Sequence, residues 1–464
     1  MGKMFTIKAS EAHGRRLDPH FHSPTFRKNR LRIESHRYLA MKGLCELSDE
    51  TWDKAQYFQE RFPYIEIGAI NCENGEIGGV EELVTAEAPS RAQMVIRAGD
   101  LLVSATRPTR NAIAIVPSDV EKAIASTGFL VVRGVQSTLV TPKYLFHALR
   151  MGFCTKQFNQ YSSGGNYPAI TKDDFRKIII PLPPLPEQQK IVAELDAAYA
   201  AKRAADERAT KLLASIDDMV LNELGIAKLP KPDTSLSSRI FTVPATEVLN
   251  GRLDPYSYSP LFADNLKRIR TNGSWRLGEL VALSHRQWDQ REWQNGDAID
   301  FPYIEIGTIS VDDGMVGRVE SVPIVDAPSR AKMMVEAGDL LVSLTRPTRR
   351  AIAFVQNTAI ASTGFAVIHD FTEEIIPKYL SVILRSELCA YQFDQRSTGG
   401  NYPAITEEQL LQCEIPMAPK VLQSQIVTKV SSIYDEVHKL KADAIAELEA
   451  AKRMIEEKLV RTED

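Results

Sequence analysis

Two threonines and two arginines bracket a proline in Thr106, Arg107, Pro108, Thr109, Arg110. The same five residue types return as Thr345, Arg346, Pro347, Thr348, Arg349, extended there by Arg350. Proline holds such a turn open, and its flanks present guanidinium forks and hydroxyls. That is equipment for a nucleic acid: cations and hydroxyls meet phosphate oxygens, and a forked arginine matches the two acceptors of guanine. The competing reading is a solvated turn, or arginines paired with acids inside a domain. Arg91 and Arg330, each in the string APSRA, are further cations of the same kind.

A second repeated stretch is SSGGNYPAIT from Ser162 and STGGNYPAIT from Ser397. It sets Gly164, Gly165, Asn166 and Tyr167 against Gly399, Gly400, Asn401 and Tyr402. Consecutive glycines let backbone N–H groups approach a phosphate, Asn bonds a base or the backbone, and Tyr stacks. A tight turn ahead of a strand asks for the same residues, so a structural role competes with a binding one.

Other constellations carry less chemistry. His20 and His22 resemble a metal-binding pair, but Tyr256 and Tyr258 stand in their places in the second copy, so no shared metal site is expected. Asp18 and Asp254, each in RLDP, read as turn formers. Five cysteines without a CxxC pair speak against a disulfide framework or a zinc site. Cys154 and Cys389 occupy equivalent positions and read as small core side chains, and Trp52 and Trp288 as matching core or rim aromatics. There is no GxxxxGK[ST] phosphate loop, no Asn or Asp followed by Pro-Pro-Tyr to grip a flipped adenine, no convincing glycine-rich S-adenosylmethionine site and no deaminase signature. No catalytic residue, metal or cofactor is expected in this chain.

The paired motifs belong to one duplication. FPYIEIG begins at Phe62 and Phe301, GDLLVS at Gly99 and Gly338, and IASTGF at Ile124 and Ile360; 30 of the 49 residues from Phe62 to Arg110 are identical in Phe301 to Arg349. A unit of this length is a domain with an attachment rather than a solenoid repeat. With 464 residues, 44% hydrophobic and 25% charged, the composition is that of an ordinary soluble protein. The net charge of -4 gives no general attraction to nucleic acid, so contact must come from local basic loops or be shared with a basic partner. No apolar run approaches the roughly 20 residues of a membrane span, and the N-terminus lacks a leader's apolar core. A cytoplasmic protein without membrane contact is expected.

Within each copy, short apolar runs such as PYIEIG, DLLVSAT, AIAIV and FLVVRG alternate with turn residues, as in buried strands, and PKYLFHALRM and PKYLSVILRS read as helices. The composition then changes abruptly. Proline and Gly225 bracket a helix over 186–224, in which Ile191, Leu195, Ala198, Lys202, Ala205, Ala209, Leu212, Ile216 and Met219 follow a 4,3,4,3 spacing. The second copy offers Ile426, Val430, Ile433, Val437, Leu440, Ala444, Glu447, Ala451 and Met454 in the same register. Each seam has one polar position, and in an antiparallel pair Lys202 and Glu447 face each other and select the alignment.

Two related domains, each ending in GGNYPAIT and a strand, and the PLPPLPEQQKIV that opens the first long helix, closely resemble the specificity subunits of type I restriction-modification enzymes. The resemblance covers essentially the whole chain. It implies an α+β fold of two similar globular target recognition domains, each followed by a long helix, the two helices forming an antiparallel coiled coil with pseudo-twofold symmetry. On that plan the first recognition domain spans 1–185, its spacer helix 186–224, a linker 225–238, the second recognition domain 239–418 and its helix 419–460. The resemblance also implies the partners: double-stranded DNA, two modification (methyltransferase) subunits and restriction subunits that translocate and cleave. S-adenosylmethionine, ATP and magnesium would belong to those partners. The second copy departs from the pattern, reading PMAPKVLQSQIV from Pro416, which puts equivalent docking at both helix starts in question.

Two other classes stay open: a coiled-coil adaptor that binds proteins alone, and a self-contained DNA methyltransferase or nuclease. If the chain reads DNA, the likeness of the two copies points to a split target with inverted, similar half-sites. Divergence between LCELSDETWDKAQYFQER from Leu44 and LVALSHRQWDQREWQNGDAID from Leu280 points the other way, if those segments touch the bases.

Overall fold

The computed structural model describes residues 18–58, 60–120, 122–230, 235, 240–249, 252–271, 273–289 and 300–461. The chain divides into two compact units, residues 1–205 with 442–464, and residues 206–441. Neither unit is one copy of the repeat, because each long helix contributes to both.

Among the described residues the first unit holds ten strands: β1 Tyr38–Ala40, β2 Glu46–Ser48, β3 Arg61–Ile65, β4 Glu81–Val84, β5 Ala92–Ile96, β6 Leu101–Ser104, β7 Ile113–Ile115, β8 Ala123–Ser126, β9 Phe129–Arg133 and β10 Ile179–Pro181. They form sheets of order β2-β9-β6-β7 and β4-β3-β8-β5, with β1 paired to β10. All pairs are antiparallel except β3 with β8. Alternation across the pleat explains the unbroken apolar runs. Leu101 and Val103 face a core shared with the helices Pro142–Leu149 and Gly152–Tyr161, while Leu102 faces a second core between the two sheets, with Ile65, Ile96 and Phe129. Cys154 and Cys389 are fully buried, and burial pushes both thiols up, so they behave as core side chains.

The second unit repeats both four-stranded sheets, with Asp300–Ile304 running parallel to Ala359–Ser362. Trp52 and Trp288 lie 4.6 Å from Phe62 and Phe301, and each indole N–H donates to a strand carbonyl, of Ala92 at 2.7 Å and of Ala331 at 2.6 Å. Asp18 accepts from the Phe21 N–H at 2.9 Å and Asp254 from the Tyr256 N–H at 3.0 Å, the work of turn formers. Residues 290–299, part of the divergent segment from Leu280, lie outside the described residues, as do 231–234 and 236–238 of the linker.

The long helices run Leu185–Leu224 and Lys420–Val460. Both begin after a proline, and both carry a wholly buried glutamine in the first turn. Gln188 donates to the carbonyls of Leu139 and Pro183, both at 2.9 Å, and accepts from the Thr141 N–H at 3.0 Å. Gln423 donates to Glu374 at 3.0 Å and Ala418 at 2.9 Å and accepts from Ile376 at 2.8 Å. The altered text of the second copy therefore keeps the side chain that ties the helix start to its domain.

In the first unit Ile191 and Leu195 share a core with Ile455, Leu459 and Val460, and Glu187 pairs with Lys458 at 2.8 Å while Tyr199 lies 5.3 Å from the Lys452 ammonium. Contacts advance along one helix as they retreat along the other, so these segments are antiparallel. The second unit shows the same sense, with Glu223 on Lys429 and Arg208 on Glu436, both at 2.6 Å.

The expected seam differs in detail. Ile191, Leu195, Ile426 and Val430 are buried, and Lys202, Leu212, Ile216, Ile433 and Leu440 are half-buried, but Glu447 is exposed and Met454 is 66% exposed. The buried line keeps Ala444 but continues through Leu448, Ile455 and Leu459. These are eleven-residue steps, from Ala444 to Ile455 and from Leu448 to Leu459. A strict heptad drifts by about 20° each repeat on a straight helix, whereas eleven residues close on three turns. Lys202, expected to face Glu447, reaches Glu73 at 3.3 Å.

Candidate nucleic-acid interface

Strand β6 ends at Ser104, and the chain turns through Thr106 to Asn111. Pro108–Arg110 form one 3-10 turn with a left-handed residue on each side, Arg107 at φ 50° and Asn111 at φ 60°. The second unit repeats this with Arg346 at φ 48° and Arg350 at φ 60°. Such values are unusual for residues other than glycine. Backbone contacts hold them: the Arg107 N–H donates to Pro168 at 2.6 Å, and the Arg346 N–H to Pro403 at 2.7 Å.

Those contacts seat the GGNYP loop against the arginine loop. Thr106 and Ser163 both bridge to Ala169, as Thr345 and Thr398 do to Ala404. Next along, the Ala105 N–H donates to Gly128 at 2.8 Å, and the Thr127 N–H to the Arg91 carbonyl at 2.8 Å. Leu344 with Gly364 (2.8 Å) and Thr363 with Arg330 (2.9 Å) repeat the pattern. Arg91, the turn between β8 and β9, the arginine loop and the GGNYP loop are thus successive neighbours on one rim of each unit.

Within that rim the arginines differ. Arg107 donates twice to the Asn166 carbonyl, from Nε at 3.1 Å and Nη2 at 2.8 Å, and its guanidinium lies 4.2 Å from the Tyr167 ring centroid. Arg346 donates to Asn401 at 2.9 Å and lies 4.4 Å from Tyr402. Both tyrosines are 69% exposed. Arg91, Thr109, Arg110, Arg330, Thr348 and Arg349 are exposed. Among the described residues, Arg91, Arg110, Arg330 and Arg349 form no ion pair and no side-chain hydrogen bond.

Arg350, expected to extend the DNA-facing set, is instead tied inward. Its Nη1 pairs with Asp217 at 2.8 Å, and that carboxylate also accepts from the Glu387 N–H at 2.8 Å. The reason is local: the left-handed turn at the loop exit brings the side chain within reach of the first long helix. Its counterpart Asn111 donates to the Arg150 carbonyl at 3.3 Å.

The two glycines of each loop also part company. Gly164 (φ 109°) and Gly399 (φ 101°) require glycine, since a Cβ there would meet the following tyrosine carbonyl oxygen at 3.2 Å, whereas Gly165 and Gly400 have open space.

One further neighbour of the rim carries no sequence pattern that marks it, the turn that follows β3. A Cβ on Gly128 would fall 2.6 Å from Ile67 Cδ1, and one on Gly364 would fall 2.9 Å from Ile306 Cδ1. That packing places the exposed carboxylates Glu66 and Glu305 beside the rim. The available signal was the identity of FPYIEIG in both copies, which reads equally as strand.

Behind the rim the units use different cations at one position. In the first, Arg133 pairs with Asp100 at 2.6 Å and Glu50 at 2.7 Å. Burial pushes the Glu50 carboxyl upward, but the hydrogen bond from Arg133 and the charge of Arg97 outweigh it and hold the group below its ordinary range. In the second, His369 stands in place of Arg133 and meets Asp339 at 2.6 Å, and that hydrogen bond raises the imidazole above its ordinary value.

Residues 38–210 and 271–450 match the family described as the type I restriction modification DNA specificity domain. The chain belongs to that family. A stretch of 119 residues is 31% identical to the type I restriction enzyme HindI specificity subunit of Haemophilus influenzae, a match spanning 25% of each chain. A solved chain from work on complex assembly and conformational transition of the type I R-M system is 25% identical, with a TM-score of 0.51 over 92% of this chain and 97% of that one. The HsdS subunit of Thermoanaerobacter tengcongensis, 23% identical, aligns over 92% of this chain and 96% of that one with a TM-score of 0.39. Two DNA specificity domains on one chain match the duplication. Among the described residues, no helix is long and apolar enough to cross a membrane.

Proposed function

We propose that this chain is the non-catalytic specificity subunit of a type I restriction-modification enzyme. It reads a bipartite DNA target and directs adenine methylation, or restriction, by partner subunits. The observation that carries this is the doubled rim: two units, each presenting free arginines (Arg91 and Arg110, Arg330 and Arg349) beside a glycine loop. Forked donors on short loops suit phosphates and base edges.

The rim residues are nearly the same in the two units, so the proposed half-sites are alike and inverted. Two modification subunits carrying S-adenosylmethionine flip and methylate an adenine in each half-site, and restriction subunits using ATP and magnesium cut unmodified DNA. The test is genome-wide adenine methylation in cells expressing the chain with its modification partner, against cells lacking this chain alone. The expected result is a split motif, marked on both strands and symmetric, that disappears with the chain. A motif that persists without the chain overturns the reading, and an asymmetric motif overturns the like half-sites.

A further inference from the structure

We propose that Tyr167 and Tyr402 are sequence-independent DNA anchors, each held outward by the arginine stacked against it. The inference rests on the DNA-reading function proposed above and assigns different tasks within the rim.

The first observation is exposure. Large aromatic rings of these units, such as Phe62, Phe158, Phe301 and Phe393, are wholly buried, yet Tyr167 and Tyr402 are each 69% exposed. A loose surface tyrosine loses side-chain freedom when it binds. These rings are already braced, by guanidinium groups at 4.2 Å and 4.4 Å that also donate to the carbonyl of the preceding asparagine. The second observation is backbone strain. Arg107 and Arg346 adopt left-handed conformations that side-chain-bearing residues avoid, and both units keep them. No carboxylate pairs with either guanidinium among the described residues, so an internal ion pair is not what the strain secures.

The chemistry limits what this arrangement recognises. Two of the five Arg107 donors are committed to one carbonyl and one face of its guanidinium to a ring, which fixes the group's orientation and leaves a single N–H edge outside the brace. Beside that edge each loop presents a ring face and a phenolic hydroxyl, with the free cation Arg110 or Arg349 three residues along the loop. A hydroxyl that donates to a phosphate and a ring that packs on deoxyribose read backbone, not base. Arg107 and Arg346 are positioning residues for this contact.

The experiment uses the chain assembled with its modification partner. Its probes are a fluorescent duplex carrying the methylated motif and a scrambled duplex of equal length. Tyr167→Phe with Tyr402→Phe, which removes two hydroxyls and threatens no fold, is expected to weaken both duplexes alike, by roughly threefold to tenfold per site. KM for DNA should rise with kcat and the motif unchanged, and the dependence of affinity on salt should keep its slope, because a neutral hydroxyl displaces no counterion. Arg107→Lys keeps the charge and loses the planar brace, and should match or exceed the effect of Tyr167→Phe.

Unchanged affinity in the Phe variants overturns the anchors. So does a changed base preference in either half-site, which would make the tyrosines readers, or wild-type affinity in Arg107→Lys. A wild-type complex that methylates no defined motif removes the functional reading and the anchors together. A wild type that methylates a defined motif, beside Phe variants that bind normally, removes the anchors alone.

Discussion

Arg349 and Arg350 are adjacent in the chain, and the structure gives them opposite surroundings. Arg349 is exposed and unpaired among the described residues, while Arg350 is committed to Asp217. Arg349→Ala should therefore weaken DNA binding and reduce the salt slope of the assembled complex by about 1. Arg350→Asn, which restores the residue of the first copy, should leave that slope intact and cost about 1 kcal/mol of stability, measured by urea unfolding. A second residue-scale prediction concerns His369. Its pKa is raised in the folded state by Asp339, so its contribution is fully present below the unfolded pKa and is lost as pH rises through the folded value. Thermal midpoints across that window should fall in the wild type relative to His369→Arg, whose guanidinium keeps its charge as Arg133 does in the first unit. What was legible at this scale was residue type. The arginine loops and the glycine loops are plain in the sequence, but the stack of Arg107 on Tyr167 depends on a left-handed backbone and on loops 59 residues apart, and no local pattern encodes it.

At the scale of elements, the strands were legible because apolar runs bounded by Gly, Pro, Asn and Asp have few other solutions. The long helices were legible because proline and glycine bracket the first and periodicity marks both. The phase of the second helix was not. A heptad template selects Glu447 and Met454, whereas the buried stripe follows the pitch of a straight helix, from Ala444 to Ile455 and from Leu448 to Leu459. Leu448→Ala should thus cost about 2–5 kcal/mol and Met454→Ala no more than about 0.5 kcal/mol, by chemical denaturation of the full chain. The buried glutamines were also hidden, since an amide in a helix's first turn ordinarily faces water. Gln423→Ala leaves the Ile376 N–H and the carbonyls of Glu374 and Ala418 without their partner. The expected destabilisation is about 2–3 kcal/mol, against near neutrality for the exposed Ser424 beside it.

At the scale of the whole molecule, the duplication is legible but the units it builds are not the copies. The first unit takes residues 442–464 from the far end of the chain, and three contacts show how firmly. Arg32 donates to the Val460 carbonyl at 3.2 Å, His36 lies 2.6 Å from the Arg461 carbonyl oxygen, and Glu456 accepts from the Gly152 N–H at 3.0 Å. Deleting residues 442–464 should raise hydrogen exchange in the pair β1 and β10 and in the helix Pro24–Glu34, and leave the sheets of the second unit protected. The second unit needs only residues 206–441, one continuous stretch. On the ribosome, then, the order of completion runs against the order of synthesis. The half that emerges first waits for the last segment, tens of seconds at roughly 5–20 residues per second, while the half that emerges later closes ahead of it. A nascent chain stalled at residue 441, part-way through the second long helix, would carry one finished unit and one with part of its core still missing.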